Sequence, residues 1–131
     1  MYWEKDSDTS FTRDFVGKRK INPNEPVCHV SFYEAMAFCK WAGKRLPTEA
    51  EWEKAALWDE ERNRKTIFPW GNEPPTKNHA NLLDSRIWNC TEIGSLENGK
   101  SHYGCYQMIG DIWELSSSEF VGYPGFKLGF D

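Results

Sequence analysis

The 131-residue chain has no apolar run long enough to cross a bilayer and no signal peptide, so nothing in it targets a membrane and a cytoplasmic location is expected. It also lacks a long Lys or Arg tract. Sixteen basic against twenty acidic side chains give a formal net charge of −4, which argues against tracking a phosphate backbone, and no nucleic-acid partner is expected. The densest basic cluster, "GKRK" at 17–20, lies beside Asp14 and reads as a solvated turn. The four cysteines, Cys28, Cys39, Cys90 and Cys105, show neither C-x-x-C nor paired zinc spacing. They read as buried thiols rather than disulfides, and a redox or metal role would need a spatial pairing that spacing alone does not reveal. Histidine is scarce: His29, His79 and His102 are never three or four apart on one helix, which leaves iron unassigned to any of them. No internal repeat or linker divides the chain, and its length suits about one domain.

What is abundant is aromatic. Rings make up 15% of the residues, seven of them Trp, while aliphatic residues are sparse and Gly, Pro and Asn are scattered throughout. This composition predicts a loop-rich fold packed around large rings, with little regular structure. Residues 1–25, with Tyr2, Trp3, Phe11 and Phe15 among polar neighbours, read as an extended N-terminal arm. "PVCHVS" at 26–31 reads as a short buried strand whose alternation makes His29 a hydrogen-bonded core histidine. His79 and His102 fall in loops and are expected to be exposed.

Two helix starts can be read from spacing. Ser31 followed by Glu34, and Thr48 followed by Glu51, are capping boxes, in which hydroxyl and carboxylate each accept an otherwise unpaired backbone N–H. The first helix should run from about Phe32 to Ala42 and stop at Gly43, with Phe32, Ala35, Met36, Cys39 and Ala42 as its buried stripe. The second should run from about Glu49 to Leu57 or Trp58, with Trp52 packing against the residue before the cap. Further on, "DEERNRK" at 59–65 reads as a solvated charged stretch, "HANLLD" at 79–84 as a short strand or turn, and "ENGKS" at 97–101 as a turn. Ile112, Glu114 and Ser116 alternate with Trp113 and Leu115, which predicts a strand from Asp111 to Ser116.

Taken together, "PVCHVSFYEAMAFCKWAGKRLPTEAEWEKAA", "FPWGN", "ANL" and "YGCYQMIGDIWEL" closely resemble the formylglycine-generating-enzyme, or sulfatase-modifying-factor, domain family. With "SSSEFVGYPGFK" the chain looks most like the branch found as the C-terminal domain of iron-dependent sulfoxide synthases of ergothioneine and ovothiol biosynthesis. The resemblance implies an irregular α+β fold related to C-type lectins, with two short helices and few short strands, over residues 26–131. It also implies a reaction joining the sulfur of cysteine or γ-glutamylcysteine to a trimethylated histidine, using Fe(II) and oxygen. The iron would be held by an upstream helical-bundle domain rather than by this chain. Since the family's "RGGS"-type and final arginine-bearing strands are not in the sequence, the chain is expected to be a fragment, inactive alone.

The same resemblance implies site residues. Tyr103, with Tyr106 as its neighbouring competitor, is expected to give a proton or electron to an oxygen intermediate, a role suited to a phenol. Structural calcium is implied at Gln107, Gly110, Ile112 and Glu114, with Asn81 and Leu82 at another site, an oxygen set of the kind calcium takes. Without calcium, Glu114 should bond loop N–H groups or pair with Arg45. Two alternatives stay open. One is a formylglycine-generating oxidase of sulfatases, whose copper-binding cysteine pair is not matched by Cys105. The other is a non-catalytic lectin-fold module binding a ligand through Trp70, Trp88, Tyr123 and Phe126.

Overall fold

A computed structural model describes residues 3–14, 17–127 and 129. Tyr2 and Phe15 of the expected arm lie outside them. The arm folds as an antiparallel meander of β1 (Trp3–Asp6), β2 (Thr9–Arg13) and β3 (Lys18–Lys20). Asp6 pairs with Thr9 across a two-residue turn in which Ser7 takes a left-handed φ of 54°, and Thr12 sits opposite both Trp3 and Arg19. The basic 17–20 cluster is therefore a strand rather than a solvated turn. Half-buried Arg19 is fixed by Asp14 at 2.5 Å, Glu25 at 2.6 Å and Asn89 at 3.0 Å. These bonds, that to Asp14 foremost, raise its pKa above the ordinary arginine value.

Helix α1 spans Phe32–Trp41 and α2 spans Glu49–Leu57, and both capping boxes form. Ser31 N–H donates to Glu34 Oε2 at 2.7 Å while Glu34 N–H donates to Ser31 Oγ at 3.3 Å. The equivalent bonds at Thr48 and Glu51 are 2.8 and 3.2 Å. Gly43, at φ 66°, stops α1 in a Schellman arrangement: its N–H reaches Lys40 O at 3.2 Å and Lys44 N–H reaches Cys39 O at 2.7 Å. Beyond α2, the charged stretch folds into a small hairpin of β4 (Trp58–Asp59) and β5 (Arg64–Lys65), and Asp59 is buried rather than solvated. Single 3-10 turns occupy Leu83–Ser85 and Glu97–Gly99.

Four further expectations are corrected. Residues 26–31 form no strand, and His29 is exposed at a φ of 60°. Residues 111–116 form no strand either: Gly110 and Asp111 both have positive φ, and Trp113 is 100% exposed, so the alternation finds no partner strand. The expected stripe of α1 is not buried, with only Ala35 and Cys39 half-covered. Nor is the core built of large rings. Among the described residues Ala56 and Ala80, 2% and 1% exposed, are buried together with Pro69 and Gly99, and no large side chain is fully buried.

This small core lies where the end of α2 meets the loops. Buried Gly99 packs so close to the 79–80 backbone that a Cβ there would stand 1.8 Å from His79 O. Thr66 ties β5 to α2 through Leu57 O at 2.8 Å, and His102 Nδ1 lies 3.7 Å from Asp59.

Candidate functional site

Two polar centres flank this core. The first surrounds Tyr103, which is 44% exposed and donates its phenolic O–H to Glu60. That bond holds Glu60 below the usual carboxylate range and raises the phenol, which stays protonated at neutral pH. His102 meets the Tyr103 ring edge-on at 6.0 Å. Asp59 accepts from the Arg62 guanidinium at 2.8 Å and from Arg62 N–H at 3.0 Å, the guanidinium foremost holding its carboxyl below its ordinary pKa. Asp59, Glu61 and His102 bring ligand atoms within 4.8 Å of one another. The trio does not fit resident iron: it offers one histidine, and its buried carboxylate is already neutralised by Arg62. His79 is elsewhere, stacked on Trp70 at 4.7 Å and accepting at Nδ1 from Thr76 N–H at 3.1 Å.

The second centre is a hydrogen-bonded hub at Asp111. Its carboxylate accepts from Asn81 Nδ2 at 2.7 Å, Thr91 N–H at 3.0 Å, Thr91 Oγ1 at 2.6 Å and Gln107 Nε2. Asp111 N–H in turn donates to Asn81 O at 3.0 Å. Gly110, at φ 86°, permits this approach, because a Cβ there would stand 2.5 Å from Asn81 O. The six positions named for calcium divide between separate partners. Gln107 Oε1 accepts from Gly94 N–H at 3.0 Å, and Asn81 Oδ1 and Leu82 O each accept from Ser85 Oγ at 2.6 Å. Ile112 is half-buried beside the hub's Asp111. Glu114 accepts from the Trp52 indole N–H, and not from Arg45, which forks onto Glu51 at 2.6 and 2.7 Å. Hydrogen bonds thus satisfy the side-chain oxygens of this set. Thr91, which joins two sides of the hub, carries no motif; only the "GD" pair at 110–111 signals the turn.

The four aromatic positions proposed as a contact surface differ in setting. Trp70 is enclosed between Phe68, at 5.3 Å and nearly parallel, and His79, and it bonds Glu73 O at 3.0 Å. Trp88, Tyr123 and Phe126 are exposed, with the Tyr123 hydroxyl 3.0 Å from Glu53.

A model of the sulfatase-modifying factor enzyme 1-like domain matches residues 2–127. The chain belongs to this family. Within it, the chain is 43% identical over 127 residues to the hercynine oxygenase of Mycolicibacterium thermoresistibile, an alignment covering 96% of this chain and 27% of the relative. It is 45% identical over 106 residues to the hercynine oxygenase of Mycobacterium tuberculosis, covering 81% and 25%. The formylglycine-generating enzyme of Mus musculus is 40% identical over 104 residues, covering 72% and 27%. The chain therefore spans about a quarter of the length of these curated relatives. Its mixed architecture of two helices and short antiparallel strands agrees with the α+β fold expected of the family.

Proposed function

We propose that this chain is part of the C-terminal, lectin-like domain of an ergothioneine-type sulfoxide synthase, which joins cysteine or γ-glutamylcysteine to hercynine, a trimethylated histidine. The observation that carries the reading is the 43% identity to a hercynine oxygenase across 96% of the chain, against 40% across 72% for a formylglycine-generating enzyme. Fe(II) would supply the oxygen chemistry from another part of the protein, in the expected helical-bundle domain, because the residues here do not fit it. This chain's own contribution is a scaffold and a phenol. The Asp111 hub fixes 81, 91 and 107–111 against one another through hydrogen bonds. Tyr103, protonated and oriented by Glu60, can pass a proton from its oxygen to a reacting group and recover it from solvent. The reading places the protein in the cytoplasm, where its thiol substrates stay reduced; no described helix is long and apolar enough to cross a membrane.

The test is to supply the full-length protein with Fe(II), oxygen, hercynine and each thiol in turn, and to look for the C–S-bonded sulfoxide by mass spectrometry. Product with one thiol is expected, and Tyr103→Phe should slow its formation about 100-fold. No C–S product with either thiol would overturn the assignment.

A further inference from the structure

Cys28 and Cys90, 62 positions apart in sequence, meet with their sulfurs 3.4 Å apart. The contact lies in a seam where the segment after β3 runs along residues 89–93. Arg19 donates to Asn89 Oδ1 at 3.0 Å, Asn22 Nδ2 to Glu92 Oε1 at 2.8 Å, and Ile93 N–H to Asn24 O at 2.8 Å. These bonds hold both backbones beside the thiol pair. A disulfide has its sulfurs about 2.0 Å apart, so closing about 1.4 Å would complete the bond. Cys39 and Cys105, by contrast, have no second thiol in contact among the described residues.

We propose that Cys28 and Cys90 form a reversible, redox-responsive disulfide that staples the segment after β3 to the 89–93 segment. Hydrogen peroxide is the oxidant that fits. It oxidises one thiol to a sulfenic acid as its O–O bond breaks and water leaves. The partner sulfur then attacks that sulfenic sulfur, the S–S bond forms, and the displaced hydroxide leaves as water with the partner's proton. Two thiols and one peroxide give one disulfide and two waters, and a dithiol reverses the change. At rest the pair is guarded. Burial, and next the Cys28 contact, push Cys90 up to about 12, so it carries its proton at neutral pH and reacts only slowly. Both cysteines are half-buried, which limits the access of an oxidant. The staple would close next to Thr91, and so would reach the Asp111 hub through the next residue along the chain.

The test titrates the intact reduced protein with hydrogen peroxide, quenches in acid, alkylates the remaining thiols and maps peptides by mass spectrometry. The expected result is a linked Cys28–Cys90 peptide pair lighter by two hydrogens, formed while Cys39 and Cys105 are still alkylated and lost again with dithiothreitol. Oxidation should raise the thermal midpoint by roughly 10–15 °C, as closing a loop of this length predicts. The rise should vanish in Cys90→Ser and in Cys28→Ala. Independent oxidation of the two sulfurs without a linked peptide would overturn the proposal, as would an oxidant-dependent shift that persists in either variant. Because the mapping is made on the unsubstituted protein, a variant that fails to fold leaves the test decisive. None of these readouts depends on catalytic activity, so failure here is distinct from failure of the synthase assignment.

Discussion

The two helices begin with the same device and differ in everything that follows. Helix α1 buries no residue and turns Tyr33, Phe38 and Trp41 to solvent, Trp41 with 82% of its surface exposed. Among the described residues its hydrogen bonds stay within its own caps. Helix α2 buries Ala56 and is held from several directions. Glu49 N–H reaches Ser118 Oγ at 3.0 Å, Ser117 N–H reaches Pro47 O at 2.8 Å, Trp52 donates to Glu114, and Glu53 receives both Lys65 and Tyr123. Capping is local chemistry and forms wherever its residues stand at the right spacing. Docking depends on what distant segments bring, and here residues 114–118, just beyond the Asp111 hub, bring it to α2 alone.

The comparison can be broken most strongly at the hub. Asp111→Ala removes an acceptor serving Asn81, Thr91 and Gln107, and should cost about 3 kcal/mol in a urea melt, since bonds to a charged acceptor contribute more than neutral ones. Loss of the hub should also free the 114–118 stretch, so amide exchange should quicken in α2 and not in α1. A matched pair of substitutions comes next. Ala56→Leu forces extra methylenes into a filled site and should destabilise by about 1–3 kcal/mol, whereas Ala37→Leu on the exposed side of α1 should stay within about 0.5 kcal/mol. Equal costs at the two positions would show that α1 is packed as α2 is.

This contrast also explains how much of the molecule was legible in its residues. The caps at Ser31 and Thr48, the Gly43 stop and the limits of both helices could be read because each depends on neighbours within about six residues. The buried stripe of α1 could not, since helical spacing shows which residues share a face but not whether anything covers it. Strand alternation at 111–116 misled for the same reason: period two describes a strand only where another strand stands alongside. Asp59 looked like one charge in a solvated run, but that run folds back on itself to pair with β5, and His102, far along the chain, also approaches it. The hub was half legible. Asn81, Gln107 and Gly110 were singled out for a different bonding role, but Thr91 and the organising role of Asp111 needed the chain folded back on itself. Family resemblance located the domain, and the local physics explained its corner.

Removing the two caps should separate local from global effects more gently. Thr48→Ala leaves Glu51 N–H without its acceptor and should cost about 1 kcal/mol of global stability, because α2 is tied into the rest. Ser31→Ala removes the same bond from α1 and should cost a similar amount in helix content over 32–41, read by amide exchange, with little change in the global midpoint. A global loss as large as that of Thr48→Ala would mean that α1 also belongs to the cooperative unit.

The smallest effect is electrostatic and has a definite sign. The Arg45 guanidinium first, then Thr48 N–H, lower the Glu51 carboxyl from its ordinary 4.5 to about 2. Between those values the unfolded chain binds a proton that the folded corner does not. The stabilisation is therefore complete above about pH 4.5, declines as pH falls toward 2, and is lost below it. Both side chains are largely exposed, so water and salt screen the pair and the effect is modest. Glu34 at the α1 cap is lowered too, by Ser31 N–H first, but with no cation beside it among the described residues. Urea midpoints measured through this acid range should accordingly be flattened by Glu51→Gln, and less so as salt is raised. Glu34→Gln should leave the global curve nearly unchanged, because the helix it caps is held by little besides its own ends.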